Sequence, residues 1–499
     1  MRDVVATVLH AFDTFVLGYF LVLNTFYLGL IVLAGAEIVH VFRRHRFAGY
    51  EDLFTSPLTP AVSLVLPARN EEVMIVESVE AMLSLRYPEF EVVVVDDGST
   101  DGTFECLRSA FDLVELPSAA PDDVPVVGLI LGTWVPRDGR PVVVVRKESS
   151  GSKGDTANAG INAARHPIVG VTDADAVLDE ESLLRVVKPF VDDPRRTIAT
   201  GGTVRAANGS TIHRGRVIDA RMPRSWLARI QVIEYLRSFL LGRTGWSRIS
   251  GLLIISGAFG MFRRDIVVEL GGFRHGAIGE DADLVARMHR LMRERRQPYR
   301  IEFVSEPVCW TEVPESLAVL GRQRRRWARG LADVLWTHRR MIGNPRYGRI
   351  GLVVMPYYVV FELLGPVIEL LGLSTALLGL VFGLLDPGFA ALFFAVALGY
   401  GVLLSIVSLL IEELSYHRYE RWRDLGTAIV VSFVENIGFR QLHAWWRLRG
   451  LWQAVRNRQL DWGVMTRTGF LTEQDPAVDG PVIADVTGAT ETRPSHRTR

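Results

Sequence analysis

Hydrophobic and polar positions divide this 499-residue chain into regions of different rhythm. Residues 11–42 are apolar almost throughout, broken by Asp13, Asn24, Glu37 and His40. At 1.5 Å per residue that run is long enough for about 30 Å of hydrocarbon, which predicts one transmembrane helix. It is too long for a signal-peptide core and lacks a small-residue cleavage site ahead of the folded part, so the helix is expected to be retained. Arg43, Arg44, His45 and Arg46 follow at once, and the positive-inside rule then places the next region in the cytoplasm and the N-terminus outside.

From residue 60 to 347 the pattern changes to short β-branched runs alternating with amphipathic stretches, the signature of a parallel α/β domain. Strands are expected at 62–66, 90–95, 142–145 and near 198–204, and helices at 73–84, 156–164 and 282–294. Residues 112–141, rich in Pro, Asp and Gly, read as a surface excursion. Residues 226–241 are amphipathic and suit either a core helix or one lying on a membrane surface.

From residue 351 the chain is apolar again. Residues 352–385, interrupted by Pro356 and Pro366, predict a tilted span or a helix pair, and 388–411 a further span. Residues 425–437 are short and polar enough for a re-entrant or interfacial helix. Trp445, Trp446 and Trp452, interleaved with arginines that continue to Arg456 and Arg458, predict a basic, aromatic helix at the cytoplasmic interface. Beyond residue 472 the composition loses all periodicity and predicts a disordered tail. The expected organisation is therefore 1–46 (N-terminal transmembrane helix), 60–347 (cytoplasmic α/β domain), 351–465 (transmembrane and interfacial helices) and 472–499 (tail).

Composition agrees with a membrane-associated enzyme: 48% of residues are hydrophobic and the mean hydropathy is +0.19. Lys and Arg balance Asp and Glu at 56 each, so net charge gives no argument for nucleic acid. The two cysteines, Cys106 and Cys309, cannot build a disulfide framework or a metal site and read as buried small hydrophobes.

Candidate chemistry sits at predicted strand ends. Residues 169–172 run into Asp173-Ala174-Asp175, and in an extended segment alternating side chains place both carboxylates on one side, where Mg2+ or Mn2+ would relieve their repulsion. An acidic turn capping the next helix is the plainer alternative. Pro67 to Glu72 and Asp96-Asp97-Gly98-Ser99-Thr100-Asp101 follow two other strands, where open α/β sheets bind ligands. The loop from Lys147 to Asn158 is glycine-rich and offers Lys153 to phosphate, without the spacing of a P-loop. Glu280 and Asp281 open a helix whose dipole favours ionised carboxylates, as suits a base that accepts a hydroxyl proton. The cationic helix at 316–338 reads as a phosphate, lipid or nucleic-acid binder, and its closeness to the apolar region makes nucleic acid the weakest of the three. Glu362 and Glu369, seven residues apart within an apolar stretch, would face a polar path, a partner or the interface.

Taken together and in order, Pro67-Ala68-Arg69-Asn70-Glu71, Asp96 to Asp101, Gly151 to Asn158, Asp173-Ala174-Asp175, Gly279-Glu280-Asp281 and Gln323-Arg324-Arg325-Arg326-Trp327 resemble the motifs of membrane-bound processive family 2 glycosyltransferases, the group of cellulose, chitin, hyaluronan and poly-N-acetylglucosamine synthases. The resemblance implies an α/β, GT-A (Rossmann-like) domain between transmembrane helices in the cell membrane, inverting transfer from a UDP-sugar, and an Mg2+ or Mn2+ cofactor. It implies that Asp96 or Asp97 holds the uracil or ribose with Pro67, Arg69, Glu71 and Lys153 nearby, and that Asp173 and Asp175 hold the metal on the diphosphate. Asp281, beside Glu280, would be the general base, although Gly279 stands where the family has threonine. Gln323, Arg326 and Trp327 would meet the acceptor and the leaving diphosphate. The C-terminal half, through residues 361–366 and 435–441, is similar to the N-acetylglucosamine branch. Two products remain open: a β-linked polysaccharide exported through the chain's own helices, or one or a few sugars on a membrane lipid. A non-catalytic receptor is disfavoured by intact Asp175, Asp281 and Arg326.

Overall fold

The computed structural model describes residues 2–45, 50–117, 121–213, 215–416 and 422–456. Arg46, Arg458 and the 472–499 tail lie outside the described residues.

Four runs dominated by valine or isoleucine form the centre of the sheet: β1 (Val62–Ala68), β2 (Phe90–Asp97), β5 (Val142–Lys147) and β6 (Ile168–Thr172). They are parallel in the order β5-β2-β1-β6 and buried nearly throughout, as strands covered on both faces must be. On the β5 side β4 (Ile130–Pro136) and β3 (Leu113–Glu115) add antiparallel edges. The segment expected as a surface excursion at 112–141 therefore extends the sheet. Its pattern is weak because β4 is only partly covered, with Ile130 and Leu131 exposed.

Beyond β6 the sheet turns mixed. Two strands, β7 (Val177–Leu178) and β8 (Thr197–Ala206), precede the small hairpin of β9 (Thr211–His213) and β10 (Arg216–Asp219), which stands apart. β11 (Phe259–Arg263) inserts antiparallel between β6 and β8, and β12 (Arg300–Thr311) runs parallel to β8. The ten-stranded order is β3-β4-β5-β2-β1-β6-β11-β8-β12-β7. The carboxyl ends of β5, β2, β1 and β6 all open on one edge, and every candidate loop leaves from that edge.

The first helix runs unbroken over Arg2–His45, and its Val4–Val41 portion is long and apolar enough to cross a membrane, as is Pro387–Ser415. Ile350–Leu363 and Gly365–Val381 meet at a 43° bend and pass the same test as a pair. Polar residues inside these helices find partners: Asp13 accepts a 2.6 Å bond from Thr375, and Asn24 donates to the Val396 carbonyl at 3.1 Å. Glu362 and Glu369 pair with Arg447 and Arg440, themselves seven apart on the Arg440–Val455 helix. A partner, rather than an open polar path, satisfies each carboxylate.

Residues 226–241 belong to the core. The Trp226–Tyr235 helix buries Ile230, Gln231, Val232 and Ile233, then continues as a π-helical turn from Leu236 to Arg243. Arg237 on that turn pairs with Glu435 beside the non-helical Ile437 and Gly438, which kink the short polar helix expected at 425–437. Arg205 of β8 pairs with Glu412 in the second apolar span. Cys309 is buried as expected, but Cys106 is only partly covered.

Candidate active site

The loops after β1 and β2 are tied to each other before any ligand is considered. Asn70 takes up φ 57°, a left-handed conformation asparagine tolerates, and its side-chain carbonyl accepts the Thr100 amide at 2.8 Å. The Asn70 amide donates to Ser99 Oγ at 3.0 Å, and the Glu71 amide to Thr103 Oγ1 at 2.9 Å. These bonds hold Arg69, which is exposed, and Glu71 over the end of β2, while Pro67 sits half-buried opposite Val95.

The two adjacent aspartates at that end have different surroundings. Asp97 accepts from Lys147 Nζ at 2.9 Å and from Ser149 Oγ at 3.0 Å. Lys147 is fully buried and also lies 3.0 Å from Asp155, which further accepts the Val127 amide and the Ser150 hydroxyl. Asp97 is thus one corner of a closed ionic knot under the loop. Asp96 accepts the Ser99 amide with one oxygen and has the Arg146 Nε 3.3 Å from the other, with that guanidinium stacked on Phe104.

Asp173-Ala174-Asp175 is not extended. β6 ends at Thr172, the Asp173 amide turns to the Ala258 carbonyl, and the Ala176 amide donates back to the Asp173 carbonyl at 3.1 Å. The segment is a turn, so strand alternation does not govern its side chains. Ser78 braces it through a 2.8 Å bond to the Ala174 carbonyl. Asp173 pairs with Lys153, whereas Asp175 lines a small cavity with Met74, Glu77 and Ser78. Both carboxylates are close enough to Cys309 to add to the burial that pushes its thiol pKa up.

Two oxygen donors on one turn suit a hard cation, but Asp173 already has a lysine. Among the described residues no group of three or more His, Cys, Asp or Glu is placed to hold a metal. Two carboxylates would leave most of such an ion's coordination sphere to oxygens from elsewhere.

The helix expected to start at 156 starts at Lys153, capped by Ser152. This puts the lysine in the first turn instead of the loop, with Nζ also 3.1 Å from the Gly257 carbonyl. The Gly257 amide in turn donates to Asp281 Oδ2 at 3.0 Å, and the Ala282 amide to Asp281 Oδ1 at 2.8 Å. Glu280, first in the Glu280–Glu294 helix, feels Lys153, Asp281 and Arg326. The helix dipole does not keep this carboxyl acidic. Burial, and then the Asp281 charge, push it up to about 7, and Lys153 and Arg326 only partly oppose this.

The Leu317–Thr337 helix brings Gln323, Arg326 and Trp327. One face is clamped by the Arg440–Val455 helix, with Gly321 against Trp446 and Gly450 against Arg325. A second face reaches the acidic loop through two glycines: a Cβ on Gly279 would lie 3.4 Å from the Gly330 backbone, and one on Gly330 would lie 3.2 Å from the Gly279 amide nitrogen. Gln323 Oε1 is buried with no hydrogen-bond partner among the described residues, and Trp327 is 42% exposed.

The structure thus gathers Lys153, Asp173, Glu280, Asp281 and Arg326, and sets Asp96 and Arg69 on neighbouring strand ends. Sequence reasoning assigned no role to Asn70, Arg146, Lys147, Asp155, Gly257 or Arg324. Asn70, Lys147, Asp155 and Arg324 stood inside the motifs, whereas Arg146 and Gly257 gave no signal.

A mixed α/β sheet with its polar loops at the carboxyl edge is the architecture typical of GT-A glycosyltransferases. Residues 135–330 match the family model described as "Glycosyltransferase like family 2". The chain is similar to the poly-beta-1,6-N-acetyl-D-glucosamine synthase of Staphylococcus epidermidis, 26% identical over 274 residues, 55% of each chain. The synthase of the same name from Staphylococcus aureus is 24% identical over 303 residues, 61% of this chain and 62% of its own. The chain therefore spans between half and two thirds of the length of these relatives. Among solved structures it is similar to the mannosyltransferase PcManGT from Pyrobaculum calidifontis in complex with GDP-Man and Mn2+, with TM-score 0.45, 19% identity and coverage of 88% of this chain and 100% of that one. It is also similar to S. aureus TarS 1-349 in complex with UDP-GlcNAc, with TM-score 0.36, 16% identity and coverage of 72% and 93%.

Proposed function

We propose that this chain is a membrane-bound inverting transferase that moves N-acetylglucosamine from UDP-N-acetylglucosamine to the end of a growing β-linked polysaccharide. The observation that carries the reading is the meeting of Lys153 and Asp281 on Gly257, with Arg326 and Glu280 beside them. A cation for a leaving diphosphate then stands next to a carboxylate for an acceptor proton. The sugar named in both staphylococcal relatives supports the donor.

In this reading the acceptor hydroxyl gives its proton to Asp281 while its oxygen attacks the anomeric carbon, and the bond to the diphosphate breaks on the opposite face. Lys153 and Arg326 offset the charge that develops on the leaving group. Asp173 and Asp175 would hold Mg2+ or Mn2+, which supplies Lewis acidity at the diphosphate. Asp96 or Asp97 would meet the nucleoside. Gln323 and Trp327 receive the acceptor sugar. The domain of residues 60–347 faces the cytoplasm, and the apolar helices hold it to the lipid of the cell membrane.

A second reading, transfer of one or a few sugars to a membrane lipid, is favoured by the pairing of Glu362 and Glu369 with arginines, which withdraws them from an export path. The deciding experiment presents the purified chain in lipid nanodiscs with Mn2+ and radiolabelled UDP-N-acetylglucosamine or UDP-glucose. A long, water-soluble product from the first donor alone supports the polymerase. A short product that partitions into organic solvent supports the lipid transferase, and incorporation from neither donor removes both.

A further inference from the structure

Trp327 presents a large, rigid aromatic surface, 42% exposed, on a helix whose neighbouring face is packed against the Arg440–Val455 helix. An exposed indole on a helix can turn about two side-chain bonds, so a contact that fixes it needs something on its other side. Arg324 supplies it. Three residues earlier on the same helix, its guanidinium carbon lies 4.2 Å from the Trp327 ring centroid. Arg324 is itself 1% exposed, and its Nη2 donates to Glu234 Oε2 at 2.7 Å. Glu234 belongs to the Trp226–Tyr235 helix, which Gln231 ties to the Pro314 carbonyl, just ahead of the Leu317–Thr337 helix, by a 2.7 Å bond.

The three side chains therefore form a relay: the carboxylate holds the edge of the planar cation, whose face lies over the indole. A guanidinium held flat by a carboxylate offers its face to an aromatic ring in a way an ammonium cannot. The indole is 42% exposed, which leaves it surface for a ligand.

We propose that Arg324 and Glu234 are positioning residues that set the ring of Trp327, so that the outer face of the indole is oriented for the acceptor sugar; this rests on the reading of Trp327 as an acceptor contact. The pair is expected to act on the acceptor side, since the contacts it makes lead to Trp327.

Arg324→Lys keeps the charge and loses the planar stack, while Glu234→Gln keeps the shape and loses the charge that orients the guanidinium. In nanodiscs with Mn2+, KM for a soluble β-1,6-linked N-acetylglucosamine trimer is expected to rise on the order of ten-fold in Arg324→Lys, and less in Glu234→Gln. KM for UDP-N-acetylglucosamine is expected to stay within about two-fold. Iodide quenching of the fluorescence assigned to Trp327, by difference from Trp327→Phe, should increase in both variants even without substrate.

Unchanged quenching overturns the proposal. Equal changes in both KM values together with a lowered melting temperature also overturn it, since a merely structural pair would do that. If Arg324→Lys fails to fold, Glu234→Gln decides by the same two readouts. If the wild-type chain transfers no sugar, the proposed function has failed, and quenching still decides whether Arg324 seats the ring. Altered quenching with no change in acceptor KM sinks the acceptor role.

Discussion

Lys153 and Asp281 are joined through one peptide: the Gly257 carbonyl lies 3.1 Å from the lysine Nζ, and the Gly257 amide donates to the aspartate at 3.0 Å. A cation and an anion that are 128 positions apart in the chain are thus fixed by a residue with no side chain. Both side chains are thereby anchored to the backbone just ahead of β11.

If Asp281 takes the acceptor proton, Asp281→Asn should lower transfer by about 10² to 10⁴. Donor binding, read by calorimetry with UDP, should stay near wild type, because the Gly257 amide can still meet the asparagine carbonyl. Turnover comparable to wild type would remove Asp281 from the role.

With Asp173 paired to Lys153, and no group of three or more His, Cys, Asp or Glu placed to hold a metal among the described residues, Mn2+ should bind weakly on its own. Adding UDP should tighten it by roughly ten-fold or more, since phosphate oxygens complete the sphere and give Lys153 another partner. Electron paramagnetic resonance counts free Mn2+ directly. The same affinity with and without UDP would contradict an ion carried in with the donor, and transfer in excess chelator would dismiss the metal altogether.

Glu280 gives a pH signature of definite sign. Its carboxyl titrates near 7 when folded against an ordinary value of 4.5, with burial as the first cause and Asp281 as the second. Over that window the folded chain holds a proton that the unfolded chain has released, so stability falls as pH rises. The melting temperature should therefore decline between about pH 5 and 7.5, and Glu280→Gln should flatten the decline. An identical slope in the variant would mean that other groups carry it.

Lys147 bridges Asp97 and Asp155 with no exposure of its own side chain. Lys147→Met keeps the volume and leaves two buried carboxylates without their counter-charge, which should cost about 3–5 kcal/mol. Thermal unfolding of the catalytic domain measures it. A loss under about 1 kcal/mol would show that water or Arg146 takes over.

The central strands were legible because burial on both faces writes itself as consecutive valines in β2 and β5, and the polar residues that end them stand out against that background. The edge strands were not, since β4 is only partly covered and carries Gly132 and a terminal Pro136. Residues 173–175 were legible as carboxylates but not as a turn, because the turn is made by partners elsewhere: Ala258 and Ser78. The acidity of Glu280 was misjudged for a related reason. A helix dipole can be read from local sequence, whereas the burial that outweighs it exists only once the chain has folded. Gly257 could not be found at all, because its contribution is made by main-chain atoms. Arg324 looked like one arginine among several, and only Glu234, 90 positions away, distinguishes it.

The contact of Gly279 with Gly330 gives the departure from threonine at position 279 a geometric meaning. Two missing methyl groups let the acidic turn and the arginine-rich helix share a boundary made of bare main chain, with hypothetical Cβ atoms only 3.4 Å and 3.2 Å from it. The two positions therefore behave as a single spacer of fixed thickness. A Cβ at 330 would press on the Gly279 main chain, whereas one at 279 would only just reach contact, so the tolerance of the boundary is asymmetric.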